Sequence, residues 1–444
     1  MNTAEDASMT AGSDPANRRP RPGRIDGAAL LEGMQSLALG VAVVALFASG
    51  DLQASNGLVA VWLVLGLLRQ AAARPWSFAL LGLVVLNLRW IVLDEGPLPV
   101  SPIDHLLMLT AFACGFARPS AWWLRQASVL ALATLIGVLL QLDVVVDFAR
   151  LGVEYHTAAL TKNQTALLAG LASLCSLIAA LAHRPPWSRL LHGLALVATL
   201  LLLRAADSRA GMGMAGLAVL FGSLLSWGPA LIHRWRQRFG RLRRPLLILA
   251  ILMATLLTVL WLIHQQTAEV PEDGIGLAGI YGEENLENDA ARLKLWSCYL
   301  GLPFTGNNRF IWGVGYERAW RVLCTARQVG RPLSHAHNLF LQVLGENGVA
   351  GFVFMSAWIG WTLRRVLHNC REQALANPRL LIFSSAALVT YLVGFNLFEL
   401  GMVKVPLFML CFGLFLATPF SLEPIRLGHD TLADPAGVEQ VSRS

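Results

Sequence analysis

Apolar stretches of about 20 residues, separated by short polar breaks, run along most of this chain. About 20 residues is the length at which a helix crosses the hydrocarbon core of a bilayer. The pattern predicts twelve helices, at 28–48, 56–72, 76–93, 103–118, 122–142, 161–182, 187–206, 208–231, 245–264, 336–366, 379–398 and 402–420. The fourth is short, and the seventh and eighth are barely separated. The first 26 residues hold Pro15, Pro20, Pro22 and Arg18, Arg19, Arg21 and Arg24. They lack the apolar core of a cleavable signal peptide and read as a disordered tail. The organisation expected is a polar tail at 1–26, nine membrane helices over 27–264, one long loop at 265–335, three more helices over 336–420, and a tail at 421–444. No internal repeat is visible. The fold class is an all-α polytopic membrane protein of about twelve transmembrane helices with one long helical outer loop.

Composition agrees with this reading. Hydrophobic residues make up 55% of the 444 and charged residues 14%, where soluble domains carry about 25% charged. That excludes a soluble enzyme, a chain with a single anchor, and a disordered chain.

The net charge of +7 would suit a nucleic-acid partner if the cations formed one surface. Their placement excludes that. With the N-terminus in the cytoplasm, 22 of the 35 basic residues fall on cytoplasmic segments, including the run HRWRQRFGRLRR at 233–244. The opposite loops around 49–56 and 94–102 hold none. This is the positive-inside asymmetry of a membrane protein, with both termini inside and 265–335 outside. The partners it implies are membrane lipids, and no nucleic acid.

The long loop carries eight acidic and seven basic residues. Its length suits a helical lid over a membrane cavity. Of the six cysteines, Cys298 and Cys324 fall in this loop. An oxidising outer compartment favours a disulfide between them, against the alternative of two unrelated thiols. Cys114, Cys175 and Cys411 sit in spans and Cys370 in a cytoplasmic loop, and no CxxC spacing occurs.

Outside that loop, six cations lie on the outer side or in outer membrane halves: Arg89, Arg150, Lys162, Arg204, Arg209 and Lys404. Charge there needs a reason. Either it meets an anionic ligand such as a lipid-linked phosphate, or it snorkels to headgroups. Snorkelling suits Arg89 and Lys404. Arg209 stands in DSRAG at a helix start, where an arginine and a helix N-terminus together favour an anion.

The most informative stretch is SHAHNLFLQVLGENGVAGF at 334–352. Ser334 is placed to cap a helix, with His335 and His337 in its first turn. Asn338, Gln342 and Glu346 form a polar stripe at four-residue spacing. Gly345, Gly348 and Gly351 would let a neighbouring helix approach closely. A histidine in a first turn tends to stay neutral, since the helix dipole opposes imidazolium. Neutral imidazole at a membrane surface is a competent general base for a hydroxyl. The plain alternative is a packed helix with capping histidines. Zinc at HxH fits poorly, because residues two apart on a helix point about 200° from one another.

These residues resemble the O-antigen ligase and polymerase superfamily. The resemblance is carried by His337, Asn338, Leu341, Glu346, Gly348 and Gly351 after a long outer loop. TKNQTA at 161–166 is similar to the family's Asn-x-Asn segment, with Lys162 and Asn163 but without the second Asn. DSRAG at 207–211 resembles its Ser-Arg segment. Arg292 with Trp296, followed by WGVGYERAW, resembles its arginine-tryptophan stretch and the glycine-rich segment after it. The similarity covers about 161–352.

The resemblance implies a GT-C-like glycosyltransferase of the bacterial inner membrane with its site on the periplasmic side. The donor would be polysaccharide on undecaprenyl diphosphate and the acceptor a sugar hydroxyl of the lipid A core. His337 would be the catalytic base and Arg209 and Arg292 the essential arginines. Arg150, Lys162, Asn163, Arg204, His335, Asn338 and Glu346 are candidate substrate-binding residues. No Asp-x-Asp occurs, so arginines rather than a metal would offset the charge of the leaving diphosphate, and no cofactor is expected. Glu283, Glu284 or Glu287 would position the base or the acceptor. The same superfamily includes O-antigen polymerases and protein O-oligosaccharyltransferases. A chain ending about 24 residues after its last span speaks against the latter. A transporter of lipid-linked sugars would need polar residues along a path through the membrane, whereas here they gather in the outer half.

Overall fold

In the computed structural model the residues described are 27–49, 52–69, 102–116, 122–151, 155, 157, 159–239, 283–306, 309–315, 318–319, 323–324, 335–371, 378–399 and 405–420. Among them the regular structure is helical. The helices are α1 (Gly27–Ala48), α2 (Leu52–Arg69), α3 (Pro102–Phe116), α4 (Trp122–Leu140), α5 (Leu142–Leu151), α6 (Lys162–Ala182), α7 (Pro186–Ala205) and α8 (Arg209–Phe239). They continue with α9 (Glu283–Gly301), α10 (Arg309–Trp312), α11 (Leu339–Arg371), α12 (Pro378–Phe398) and α13 (Pro406–Leu416).

Seven of the described helices are long and apolar enough to cross a membrane: α1, α4, α6, α7, α8, α11 and α12. α2 and α13 are apolar but shorter. With these helices the chain is a polytopic membrane protein. Ten of the twelve expected spans coincide with described helices, and those at 76–93 and 245–264 lie outside the described residues, as do both tails. Several expected boundaries move: the second span runs Leu52–Arg69 rather than 56–72, and the eighth continues to Phe239 rather than 231. The tenth span starts at Leu339 rather than 336 and continues to Arg371. A helix also stands where none was expected, α5, in the connection after the fifth span.

α6 and α12 form the centre of the bundle, each with 83% of its span buried. α8 packs along α12, α7 along α6, and α4 against α6 and α7. α1 packs on α2 and α4, and α13 on α3. The Tyr391 hydroxyl of α12 donates to the Ala166 carbonyl of α6 at 3.0 Å. That approach needs Gly170, where a Cβ would overlap the Tyr391 hydroxyl. The contact fixes the start of α6 against the end of α12.

The long loop has a small core of its own, built from Leu295, Tyr299, Leu302, Val314 and Ala336. Cys298 and Cys324 are joined by a disulfide across this core, with Cα atoms 5.9 Å apart. The expectation of a pair there is met.

Candidate active site

Three local arrangements set the site. The first is the start of α6. Thr161 caps it, accepting from the Gln164 N–H, while the Gln164 side chain accepts from the Thr161 N–H. This capping box explains Thr161 and Gln164 as structural. It leaves the side chain of Asn163 to point elsewhere.

The second is the stretch before α11. Helix α11 begins at Leu339, so His335 and His337 are not in its first turn, contrary to expectation. The cap is Asn338, whose Oδ1 accepts from the Leu341 N–H at 3.1 Å. Its Nδ2 donates to the Leu397 carbonyl at the end of α12, at 3.0 Å. Ser334 lies outside the described residues. His337 takes a left-handed backbone conformation, φ 51°, which non-glycine residues adopt uncommonly and at some cost in strain. Its N–H donates to His335 Nδ1 at 3.3 Å, and the two rings lie 4.1 Å apart. The Ala336 N–H donates to Gln342 Oε1 at 2.8 Å and its carbonyl accepts from Trp296 Nε1 at 2.6 Å. The segment carrying His337 is thus held from both sides.

The third is a break in α11. Gly348 has φ 64°, and the helix kinks there. A kink orphans carbonyls one turn before it. The glycine-rich segment 313–315 supplies the missing donors: Val314 N–H to the Gly345 carbonyl at 3.0 Å and Gly315 N–H to that of Glu346 at 2.9 Å. Gly313 and Gly348 both have positive φ, and a Cβ on either would overlap the other segment's backbone. So Gly313 and Gly348 let the long loop close on the kink, while Gly345 meets Tyr299 of α9, a neighbouring helix as expected but one that belongs to that loop. Gln342 and Glu346 are both buried, and Gln342 Nε2 donates to Glu346 Oε1. Glu346 therefore supports the backbone carrying His337.

These arrangements converge on a residue the sequence did not single out. Glu399 follows α12 directly and is buried. Its Oε2 lies 3.1 Å from His337 Nδ1 and accepts from Asn163 Nδ2 at 2.8 Å. Its Oε1 accepts from an Arg292 guanidinium nitrogen at 2.9 Å. Burial pushes this carboxyl up, but the His337 hydrogen bond and the Arg292 charge outweigh it and hold the group below its ordinary value. Glu399 is the only acidic residue between 379 and 420. A lone carboxylate between two apolar spans is the signal that could have pointed to it. The side chains of Glu283, Glu284 and Glu287 lie outside the described residues.

Of the expected site residues, Asn163, Arg292, His335, His337 and Asn338 come together. Lys162 is half-buried at the start of α6 beside Asn163. Arg209 opens α8, where the Ser208 hydroxyl caps the helix by accepting from the Gly211 N–H at 3.2 Å. Gly211 packs against Ala166 of α6, one turn below Asn163. Arg209 is thus at the same end of the bundle, exposed, with no hydrogen bond to the Glu399 cluster among the described residues. Arg204 is exposed and pairs with Asp207 at 3.2 Å. Arg150 is exposed at the end of α5. Neither Arg150 nor Arg204 contacts the cluster among the described residues.

Chemically, the arrangement pairs an imidazole with a buried carboxylate and a guanidinium. The carboxylate fixes which ring nitrogen faces it and stabilises the imidazolium formed when the other nitrogen takes a proton. Among the described residues no hydrogen bond engages Nε2 of His337. No protein-family model matches the chain, and a search of curated proteins finds no match.

Proposed function

We propose that the chain is an O-antigen ligase, transferring polysaccharide from undecaprenyl diphosphate to a lipid A core sugar at the periplasmic face of the inner membrane. The observation that carries this reading is the buried Glu399 bonded at once to His337, Arg292 and Asn163. It joins the base and one arginine expected from the family resemblance. With Nδ1 held by Glu399, His337 accepts the proton of the acceptor hydroxyl at Nε2. The acceptor oxygen bonds to C1 of the donor sugar as the C1–O bond to the diphosphate breaks, and the anomeric centre inverts. The electron pair leaves on the diphosphate. Arg209, exposed at the capped start of α8, and the guanidinium nitrogens of Arg292 not used by Glu399 offset that charge. Arg292 then has two roles, because part of its charge already serves Glu399.

The reading is tested by deleting the gene and examining lipopolysaccharide on a gel. A ligase predicts loss of every polymer-bearing band, with lipid-linked polymer accumulating. A ladder collapsed to one repeat indicates a polymerase instead, and an unchanged ladder refutes both.

A further inference from the structure

The outer loop carries an apolar face that its own core does not use. On α9, Leu295 and Tyr299 turn into that core while Leu293 and Leu300 stay exposed, Leu293 at 63%. The exposed face continues through Phe304, 78% exposed, to Phe310 and Ile311 on α10. The Phe304 and Phe310 rings lie 5.8 Å apart.

The register of this face against the membrane is set by the kink. The Ile311 carbonyl and Gly313 N–H pack on the backbone of α11 at Gly348. The candidate span in α11 covers Leu339–Cys370, 32 residues. That is about 48 Å of helix against a hydrocarbon core of about 30 Å. Gly348 lies about 14 Å from the outer end of the helix. Even if all the surplus length projects outward, α10 meets α11 within a few ångströms of the membrane boundary, and otherwise it meets it deeper. Charge agrees with this depth. Residues 291–315 hold Arg292, Lys294 and Arg309 and no carboxylate. Exposed Leu and Phe beside cations, with no acidic residue, is the make-up of a segment lying in the headgroup–acyl boundary.

We infer that Leu293, Leu300, Phe304, Phe310 and Ile311 form a foot seated in the acyl-chain layer of the outer leaflet, with phospholipid as its occupant. The foot sets the height of the outer loop. α9 bears Leu293 and Leu300 on one side and carries Arg292 to Glu399 on another, so seating the foot fixes where Arg292 stands above the membrane.

Spin labels at Phe304→Cys and Phe310→Cys test this, with Lys294→Cys, an exposed position of α9, as the water-facing control. The background carries Cys114→Ser and Cys370→Ser, since Cys175 and Cys411 are buried and Cys298 and Cys324 are bonded. The full-length protein is placed in nanodiscs of phosphatidylethanolamine and phosphatidylglycerol. Oxygen, which concentrates among acyl chains, should relax the labels at 304 and 310 more than a water-soluble nickel chelate does, with the order reversed at 294. Nickel dominating at 304 and 310 would overturn the proposal. So would labels there reached by neither reagent, which would mean that protein, such as a second copy of the chain, covers the face.

Discussion

Glu399 Oε2 stands 3.1 Å from His337 Nδ1 although 62 residues of chain separate them. One residue follows α12 and the other precedes α11, so the packing of these two helices sets the pair. Asn338 reinforces it by reaching from beside His337 to the Leu397 carbonyl. The dyad is therefore a property of the end of the bundle where α11 begins and α12 ends, and does not depend on the long loop alone.

Replacing Glu399 by Gln keeps the shape and removes the charge that orients His337 and stabilises its protonated form. Turnover should fall by about 100-fold or more with KM little changed. A loss in KM alone would mean that Glu399 serves substrate binding. The pH dependence of stability should change with it. The carboxyl of Glu399 is lowered from its ordinary 4.5. Its contribution is therefore complete above pH 4.5 and is lost as pH falls through the folded value. Wild type and Glu399→Gln melting curves should differ most at neutral pH and converge below that window.

The kink predicts a contrast among glycines of one helix. Gly348→Ala, and Gly313→Ala in the segment facing it, place a side chain at positive φ against backbone. Each should cost on the order of 1–3 kcal/mol. Gly360→Ala has open space around it and should stabilise α11 by up to about 1 kcal/mol. Thermal unfolding of the purified variants separates the two classes, and equal behaviour of all three would remove the kink from the account.

Much of this arrangement is legible in the sequence, and the rest is hidden for definable reasons. Hydropathy finds the spans because burial in lipid demands nearly unbroken apolar helices, and α12 differs from expectation by one residue at its start. His337 and Asn338 stand out because polar residues border an apolar run. The backbone at His337 is not legible: a left-handed histidine leaves no mark in hydropathy, so the helix was expected to begin three residues early. The glycines at 345, 348 and 351 imply close approach, but spacing cannot distinguish a neighbouring helix from a loop that fills a kink. Glu399 was not singled out, although its place as a lone carboxylate between apolar spans was there to be read. Its partnership with Asn163 and Arg292 was not, because those residues are 236 and 107 positions away.

The Cys298–Cys324 bond closes a stretch of the long loop with a sequence separation of 26. Removing it should cost on the order of 3 kcal/mol. Peptide mapping without reductant should recover the two cysteines as one linked pair. Cys298→Ser should lower the unfolding temperature, and free thiols at both positions in unreduced protein would refute the bond.

Arg292 gives one nitrogen to Glu399, and its remaining donors are assigned to the diphosphate. A lysine cannot serve both, because its ammonium lacks the planar fork. Arg292→Lys should therefore lose most activity at normal expression. Arg209→Lys should lose less, since Arg209 makes no ion pair among the described residues that a lysine would break. Full activity in both variants would refute the arginine assignment.

Whether His337 acts as a metal-independent base is tested most directly by transfer with the purified protein in detergent with EDTA present, comparing wild type with His337→Ala. The assay uses undecaprenyl-diphosphate-linked O-antigen as donor and a lipid A core acceptor. Wild type should transfer without divalent metal, and His337→Ala should lose about 100- to 10,000-fold, with both proteins equally folded. Transfer by His337→Ala at the wild-type rate, or wild-type transfer that appears only when magnesium or manganese is restored, would contradict that role.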